Sequence, residues 1–129
     1  MSDLNKKIDL GHTLLIFSDD IQTIIRKEES FTAEMAKEIV SMRKEVLGDV
    51  LVPTLIVTND NFIEESAQKY VQSKEFAENH GASAVAIVTT SRTKTIILKV
   101  ITSYMDFEYP IKFFPNEKEG TTWLRSQAS

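Results

Sequence analysis

Two nearly continuous apolar runs, separated by a stretch with helical spacing, constrain this chain more than any other feature. The first run covers residues 54–58, directly after Pro53, and the second covers residues 82–89. An unbroken apolar run suits a strand that is covered on both faces, and strands joined through helices lie parallel. The pattern therefore predicts an α/β protein built on a central sheet.

The amino-terminal third contains signals for a hairpin and for one long helix. Residues 13–17 and 21–26 are apolar or β-branched runs on either side of a short polar cluster, which predicts a β-hairpin. Thr32 is placed to cap a helix at its start, and Gly48 is placed to end it. Apolar residues recur between them at helical spacing, so this is the clearest helix of the sequence.

The middle of the chain continues with helical patterns. Asn61, with Glu64 three residues later, predicts the start of a second helix, and residues 74–79 predict a short helical turn. Residues 91–105 are rich in β-branched residues, but their spacing and their length favour a helix over a strand.

The carboxyl-terminal end completes the alternation. Residues 111–114 predict a last short strand, and Asn116 with Glu119 predicts the cap of a final helix. We expect Trp123, together with Leu124, to be largely buried and to anchor this helix on the sheet. Strands and helices then alternate from the hairpin onward, with right-handed crossovers between parallel strands.

Composition restricts the class of protein. With 129 residues, 42% of them hydrophobic, the chain suits a single domain spanning residues 1–129. The net charge of −4 and the scattered basic residues disfavour a nucleic-acid partner. Cysteine is absent and no apolar run approaches the length of a membrane span, so we expect no transmembrane segment and a cytoplasmic location.

Residues that could carry catalysis form no recognisable pattern. The two histidines, His12 and His80, belong to no metal-ligand motif, and their expected roles are structural. No phosphate-binding glycine loop and no nucleophile elbow is present in the sequence. We therefore predict no catalytic residues, no metal site and no cofactor, although groups that converge from distant loops would leave no linear motif.

An excess of apolar side chains marks the segment from residue 96 to residue 107. Three of these side chains lie off or at the margin of the helical stripe assigned to the core: Ile96, Leu98 and Phe107. Something other than the core must therefore shield them from water. A homodimer partner, a different protein or a small apolar ligand would do so. A helix with a broad core contact explains them equally well.

The two apolar runs, together with the ending of residues 109–124 from an aromatic-proline pair to Trp123 and Leu124, resemble the STAS-like superfamily. This superfamily includes the anti-sigma-factor antagonists and SEC14-like single domains, and the similarity is to an uncharacterised bacterial branch. The resemblance implies a STAS-like α/β fold, with an N-terminal β-hairpin followed by alternating helices and strands. It implies a central mixed sheet of four to five strands with four helices.

The resemblance also implies a regulatory role. In the antagonists, a phosphorylatable serine sits at the start of a helix in an Asp-x-Ser setting, but counting from Asp60 places Phe62 at that position here. Ser66 lies further along and is a weaker phosphorylation candidate. We predict a non-enzymatic regulatory or scaffold domain that acts through contact with an unknown protein partner and forms a homodimer. The alternative is a carrier or sensor of a small apolar ligand or lipid, with a pocket between residues 91–105 and the sheet.

Overall fold

The computed structural model describes residues 6–18, 21–27, 30–58, 62–89 and 109–128, which form eight strands and four helices. The strands are Lys6–Asp9 (β1), Thr13–Phe17 (β2), Gln22–Arg26 (β3), Ser30–Phe31 (β4), Val52–Val57 (β5), Phe62–Ile63 (β6), Ala82–Val88 (β7) and Ile111–Phe114 (β8). The helices are Ala33–Leu47 (α1), Glu65–Val71 (α2), Lys74–Asn79 (α3) and Glu117–Ala128 (α4). No helix in these ranges is long and apolar enough to cross a membrane.

Six of these strands form one mixed sheet in the order β1-β2-β3-β5-β7-β8. The first three strands pair antiparallel through short turns, whereas β3, β5, β7 and β8 run parallel. Parallel neighbours need a crossover connection, and α1 supplies it between β3 and β5. The predicted α/β class, the hairpin and the mixed sheet with four helices are confirmed.

Helices cover both faces of the sheet. On one face, Ile39 of α1 packs with the buried side chains of Leu15, Phe17 and Ile24. On the other face, Leu124 of α4 packs in a cluster that includes Leu55, Ala84, Ala86 and Val88. Successive residues of a strand point to opposite faces, which is how β5 serves both clusters.

Small residues bring α4 close to the sheet. A Cβ atom added to Gly120 would lie 2.9 Å from Leu55 Cδ1 and 3.4 Å from the Cβ of Ala86. Contacts this short mean that only a glycine fits at this point of the helix without a shift of its neighbours. The small side chain of Ala86 on β7 therefore permits close packing of α4 on the sheet.

The predicted helix signals occupy their expected places. Thr32 Oγ1 accepts the backbone N–H of Met35 at 3.2 Å, and Gly48 ends α1 with a φ of 67°. At α4, Asn116 Oδ1 accepts the backbone N–H of Glu119 at 2.9 Å, and its side-chain amide donates to the Glu119 carboxylate at 2.7 Å. Both pairs satisfy backbone groups that a helix leaves unpaired at its first turn.

The sheet contains one strand more than the upper bound of four to five that the sequence predicts. β1 pairs along its whole length with β2, although two of its four residues are lysines and three are exposed. An edge strand needs no alternating apolar pattern, and charged side chains protect such an edge from further pairing.

The predicted start of the second helix at Asn61 is wrong. α2 begins at Glu65, because Phe62 and Ile63 are extended and pair in parallel with Ser30 and Phe31. The buried residues of α2 are Ala67 and Tyr70. The helix predicted over residues 91–105 lies outside the described residues.

The predicted burial of Leu124 is confirmed, whereas Trp123 is less buried than a core residue. Its side chain is only partly buried, with its ring centroid 5.6 Å from that of Phe114. Leu124 is fully buried and occupies the core position. The central contact of α4 with the sheet is therefore made by Leu124, while Trp123 covers the margin of the same cluster.

Candidate functional site

The chain segments that leave β3 and β5 meet at one edge of the sheet. Carboxyl ends of parallel strands lie at the same edge, and here the following residues form the two-residue parallel pair of β4 with β6. The backbone N–H of Glu64 extends this pair by donating to the carbonyl of Phe31 at 3.0 Å. Helices α1 and α2 follow these strands directly, so their first turns stand side by side.

Ser66 connects the two helix starts. Its exposed Oγ accepts the backbone N–H of Ala33, the first residue of α1, over 3.4 Å. The same hydroxyl donates to Glu64 Oε1 at 3.3 Å. The N–H of a first helical residue has no partner within its helix, so Ser66 satisfies a group that water would otherwise have to solvate. We call the surface formed by Thr32, Ala33, Glu34, Glu64, Glu65 and Ser66 the rim surface.

Acidic groups border this serine. Glu34 lies in the first turn of α1 and Glu65 in the first turn of α2, positions where a helix dipole favours a carboxylate. Lys69 forms an i,i+4 ion pair with Glu65 at 3.3 Å. Both of these side chains are mostly exposed, so the pair contributes little to stability. The rim surface therefore carries the carboxylates of Glu34, Glu64 and Glu65 near the exposed hydroxyl of Ser66.

Arg26 lies beneath the rim surface at the end of β3 and is 8% exposed. Its Nη1 donates to Thr13 Oγ1 at 2.7 Å and to the carbonyl of His12 at 3.0 Å. Its Nη2 donates to the carbonyl of Ser30, and the guanidinium lies 4.8 Å from the centroid of the Phe31 ring. One buried cation thus links the hairpin to β4.

A chain of polar side chains continues from this arginine. The Thr13 hydroxyl, which accepts from Arg26, lies within hydrogen-bond distance of His12 Nδ1, 2.7 Å away. His12 Nε2 then donates to Glu38 of α1 at 2.8 Å. The hydroxyl, imidazole and carboxylate have the order of a catalytic triad, but Thr13 is fully buried, so a substrate has no access to its hydroxyl. This series of hydrogen-bonded side chains fixes α1 against the hairpin.

A second buried arginine lies at the opposite end of α1. Arg43 is 2% exposed, and it donates to the carbonyls of Gly48, Val50 and Gly81. Burial lowers the pKa of its guanidinium, against a smaller opposing effect of Asp49. The clamped loop exposes Val50 and Leu51, whose side chains are 60% and 63% exposed. Nothing in the described residues covers this pair.

Of the site residues that the sequence predicts, one lies within the described residues and three lie outside them. Ser66 lies on the rim surface and is exposed, as a modified residue must be. Ile96, Leu98 and Phe107 lie outside the described residues. Among the described residues, no group of three or more potential ligands converges on a point where a metal ion could bind. His80 makes a structural contact, accepting the N–H of Ala82 on Nδ1 at 2.8 Å.

The fold has a counterpart among solved structures. An uncharacterised protein of the DUF3478 family from Shewanella loihica PV-4, which has a SpoIIAA-like fold, matches with a TM-score of 0.64 and 16% sequence identity. The match covers 96% of this chain and 98% of that protein. The STAS-like fold predicted from the sequence is confirmed by this likeness, which shows the fold alone.

Comparison with the sequences of curated proteins gives no match. A family model, that of a domain of unknown function, matches residues 15–128, from the first hairpin to the end of α4. The matched region contains Arg26, Arg43 and the whole rim surface. The chain therefore belongs to the family described as Domain of unknown function (DUF7793).

Proposed function

We propose that this protein is a non-enzymatic regulatory or scaffold domain that binds another protein through the rim surface. The observation that carries the proposal is the placement of Ser66, whose exposed hydroxyl bridges the first turn of α1 and the carboxylate of Glu64. The likeness to a SpoIIAA-like fold agrees with the regulatory role that the resemblance to the anti-sigma-factor antagonists implies. This likeness adds support at the level of fold only, because function resides in sites and not in folds.

We further propose that phosphorylation of Ser66 controls the contact. A kinase would transfer the terminal phosphoryl group of a nucleoside triphosphate to Oγ, with loss of the hydroxyl proton and release of the diphosphate. The product carries about two additional negative charges at pH 7. It can no longer donate to Glu64, which would repel it, whereas the N–H of Ala33 would still attract it. Modification would therefore change both the charge and the geometry of the rim surface.

The partner that fits this surface is basic. Glu34, Glu64 and Glu65 require cationic side chains opposite them, and the Ser66 hydroxyl offers one hydrogen bond to a partner. Binding through such exposed charges weakens as salt screens them. A phosphate on Ser66 would then either strengthen the attraction or displace the partner by separating the two helix starts, and the experiment distinguishes these directions.

The test is affinity capture from the native cell with the wild type, Ser66→Ala and Ser66→Glu. The control is Ser126→Glu on α4, where the hydroxyl is also exposed and donates to a backbone carbonyl within its helix. We expect one reproducible partner whose recovery changes in Ser66→Glu and not in Ser126→Glu. Equal recovery with both variants would contradict a role of the rim surface.

Two further parts of the proposal rest on the sequence. Self-association through Ile96, Leu98 and Phe107 would make the cytoplasmic protein a homodimer. A small apolar ligand below residues 91–105, as the resemblance to SEC14-like domains implies, is the alternative use of the same apolar excess. Organic extraction of the purified protein, followed by mass spectrometry, distinguishes the homodimer from the ligand carrier. A stoichiometric lipid supports the carrier, whereas its absence in a protein that self-associates supports the dimer.

A further inference from the structure

We infer that Arg26 is the positioning residue of the rim surface: its guanidinium fixes β4, and through β4 it fixes where α2 and Ser66 begin. The functional meaning of this inference rests on the proposed function. The geometric part stands on contacts of the described residues alone.

The contacts of Arg26 reach β4 in two ways. The guanidinium donates to the carbonyl of Ser30, and its cationic carbon lies 4.8 Å from the centroid of the Phe31 ring. Its other nitrogen is held by Thr13 and His12 on β2 and the turn before it. A buried, planar group with donors on both sides therefore sets the distance between the hairpin and β4.

The position of β4 determines that of the second helix. A pair of two-residue strands is too short to be stable by itself, so its location depends on what holds each strand. On one side the holder is Arg26. On the other side, Phe31 accepts the N–H of Glu64, the residue before α2, and Ala33 donates to Ser66 within α2. A displacement of β4 would consequently move Glu64 and Ser66.

Lysine cannot replace arginine here. Lysine keeps the charge, but its single ammonium cannot donate to Ser30 and Thr13 along two fixed directions while it also lies over the Phe31 ring. The variant Arg26→Lys therefore separates geometry from charge. Arg43→Lys is the matched control, because Arg43 is also buried, also donates to backbone carbonyls, and lies near the other end of α1.

The experiment measures hydrogen exchange of the Glu64 amide by NMR in the full chain. We expect Arg26→Lys to accelerate this exchange roughly tenfold or more, the factor that corresponds to losing a hydrogen bond to a charged group. Arg43→Lys should leave it within about twofold after correction for global stability. Phe31→Leu, which removes only the ring contact, provides a milder variant should Arg26→Lys fail to fold, and it should accelerate the same amide.

The amount of partner recovered by affinity capture is a second measurement. It would not change selectively if Arg26 only stabilised the fold. At temperatures chosen for equal folded fractions, Arg26→Lys should change recovery of the captured partner in the same direction as Ser66→Glu, and Arg43→Lys should not. Unchanged Glu64 exchange, or equal acceleration in both lysine variants, overturns the positioning role. Selective acceleration with no effect of any variant on capture supports the positioning role while it contradicts the proposed function.

Discussion

The guanidinium of Arg43 occupies the space beside Gly81 that a side chain would fill. Nη2 of Arg43 donates to the carbonyl of Gly81 at 3.2 Å, and a Cβ atom on Gly81 would lie 1.7 Å from Cζ of the arginine. Gly81 also has a φ of 73°, a backbone conformation that favours glycine. Residue 81 must therefore lack a side chain for two independent reasons.

Gly81→Ala tests this relationship. The left-handed backbone alone should cost about 1–2 kcal/mol, and displacement of the arginine from its carbonyl partners should add about 1–3 kcal/mol. Gly48→Ala is the control for the positive φ, which is 67° there, because no atom lies within 4 Å of the added Cβ. Urea denaturation should show the larger loss in unfolding free energy for Gly81→Ala. Equal losses would mean that Arg43 moves aside without cost.

Leu124→Ala should destabilise the protein at least as much as Trp123→Ala. The leucine is fully buried against the sheet, where its removal leaves a cavity and costs about 2–5 kcal/mol. The tryptophan is partly exposed, so its removal costs less than the loss of a fully packed aromatic residue. Denaturant midpoints of the two variants decide between them. A clearly larger loss for Trp123→Ala would restore the tryptophan as the anchor of α4.

Tyr109 should make the fold sensitive to alkali. Burial raises the pKa of its phenol to about 12, above the ordinary value of 10.0. The folded state therefore binds the phenolic proton more tightly than the unfolded state does. This contribution is fully present below pH 10 and is lost as the pH rises toward about 12, to a total of at most about 2–3 kcal/mol. Unfolding free energies measured across this range should fall less in Tyr109→Phe, and parallel curves would contradict the assignment.

Leu98→Glu should convert a dimer into a folded monomer. The reason is the apolar excess at Ile96, Leu98 and Phe107, since an unpaired carboxylate is poorly tolerated in a dry interface. Sedimentation velocity of the wild type and the variant measures the change, and circular dichroism shows whether the variant is folded. A wild type that stays monomeric at high concentration rules out this interface. An unfolded variant would instead assign Leu98 to the core.

Local patterns were sufficient to predict most of the fold. The hairpin follows from two apolar or β-branched runs on either side of a polar cluster, and the caps at Thr32 and Asn116 follow from side chains that accept backbone N–H groups. The pair of β4 with β6 could not be predicted, because a strand of two residues is too short to show an alternation of apolar and polar residues. Their pairing joins residues about thirty positions apart, so local preference at Asn61 pointed to a helix instead.

The candidate site was predicted only in part. Ser66 could be named from the sequence, but its contact with Ala33 depends on the same long-range pairing. The two buried arginines were missed, although each had a signal. Arg26 alternates with Ile24 on the inward face of β3, and Arg43 lies four residues after Ile39 on the buried stripe of α1. A charged residue at an inward position indicates a buried cation that binds carbonyl groups.

The short pair of β4 with β6 has a consequence for how the rim surface can diverge between relatives. Hydrogen bonds between main-chain atoms make few demands on side-chain identity, so the pair of β4 with β6, once Arg26 holds β4 in place, keeps the two helix starts together. Substitutions at Glu34 or Glu65 would then alter the chemistry of the surface without moving it. Such a frame allows partner choice to change at little cost to folding.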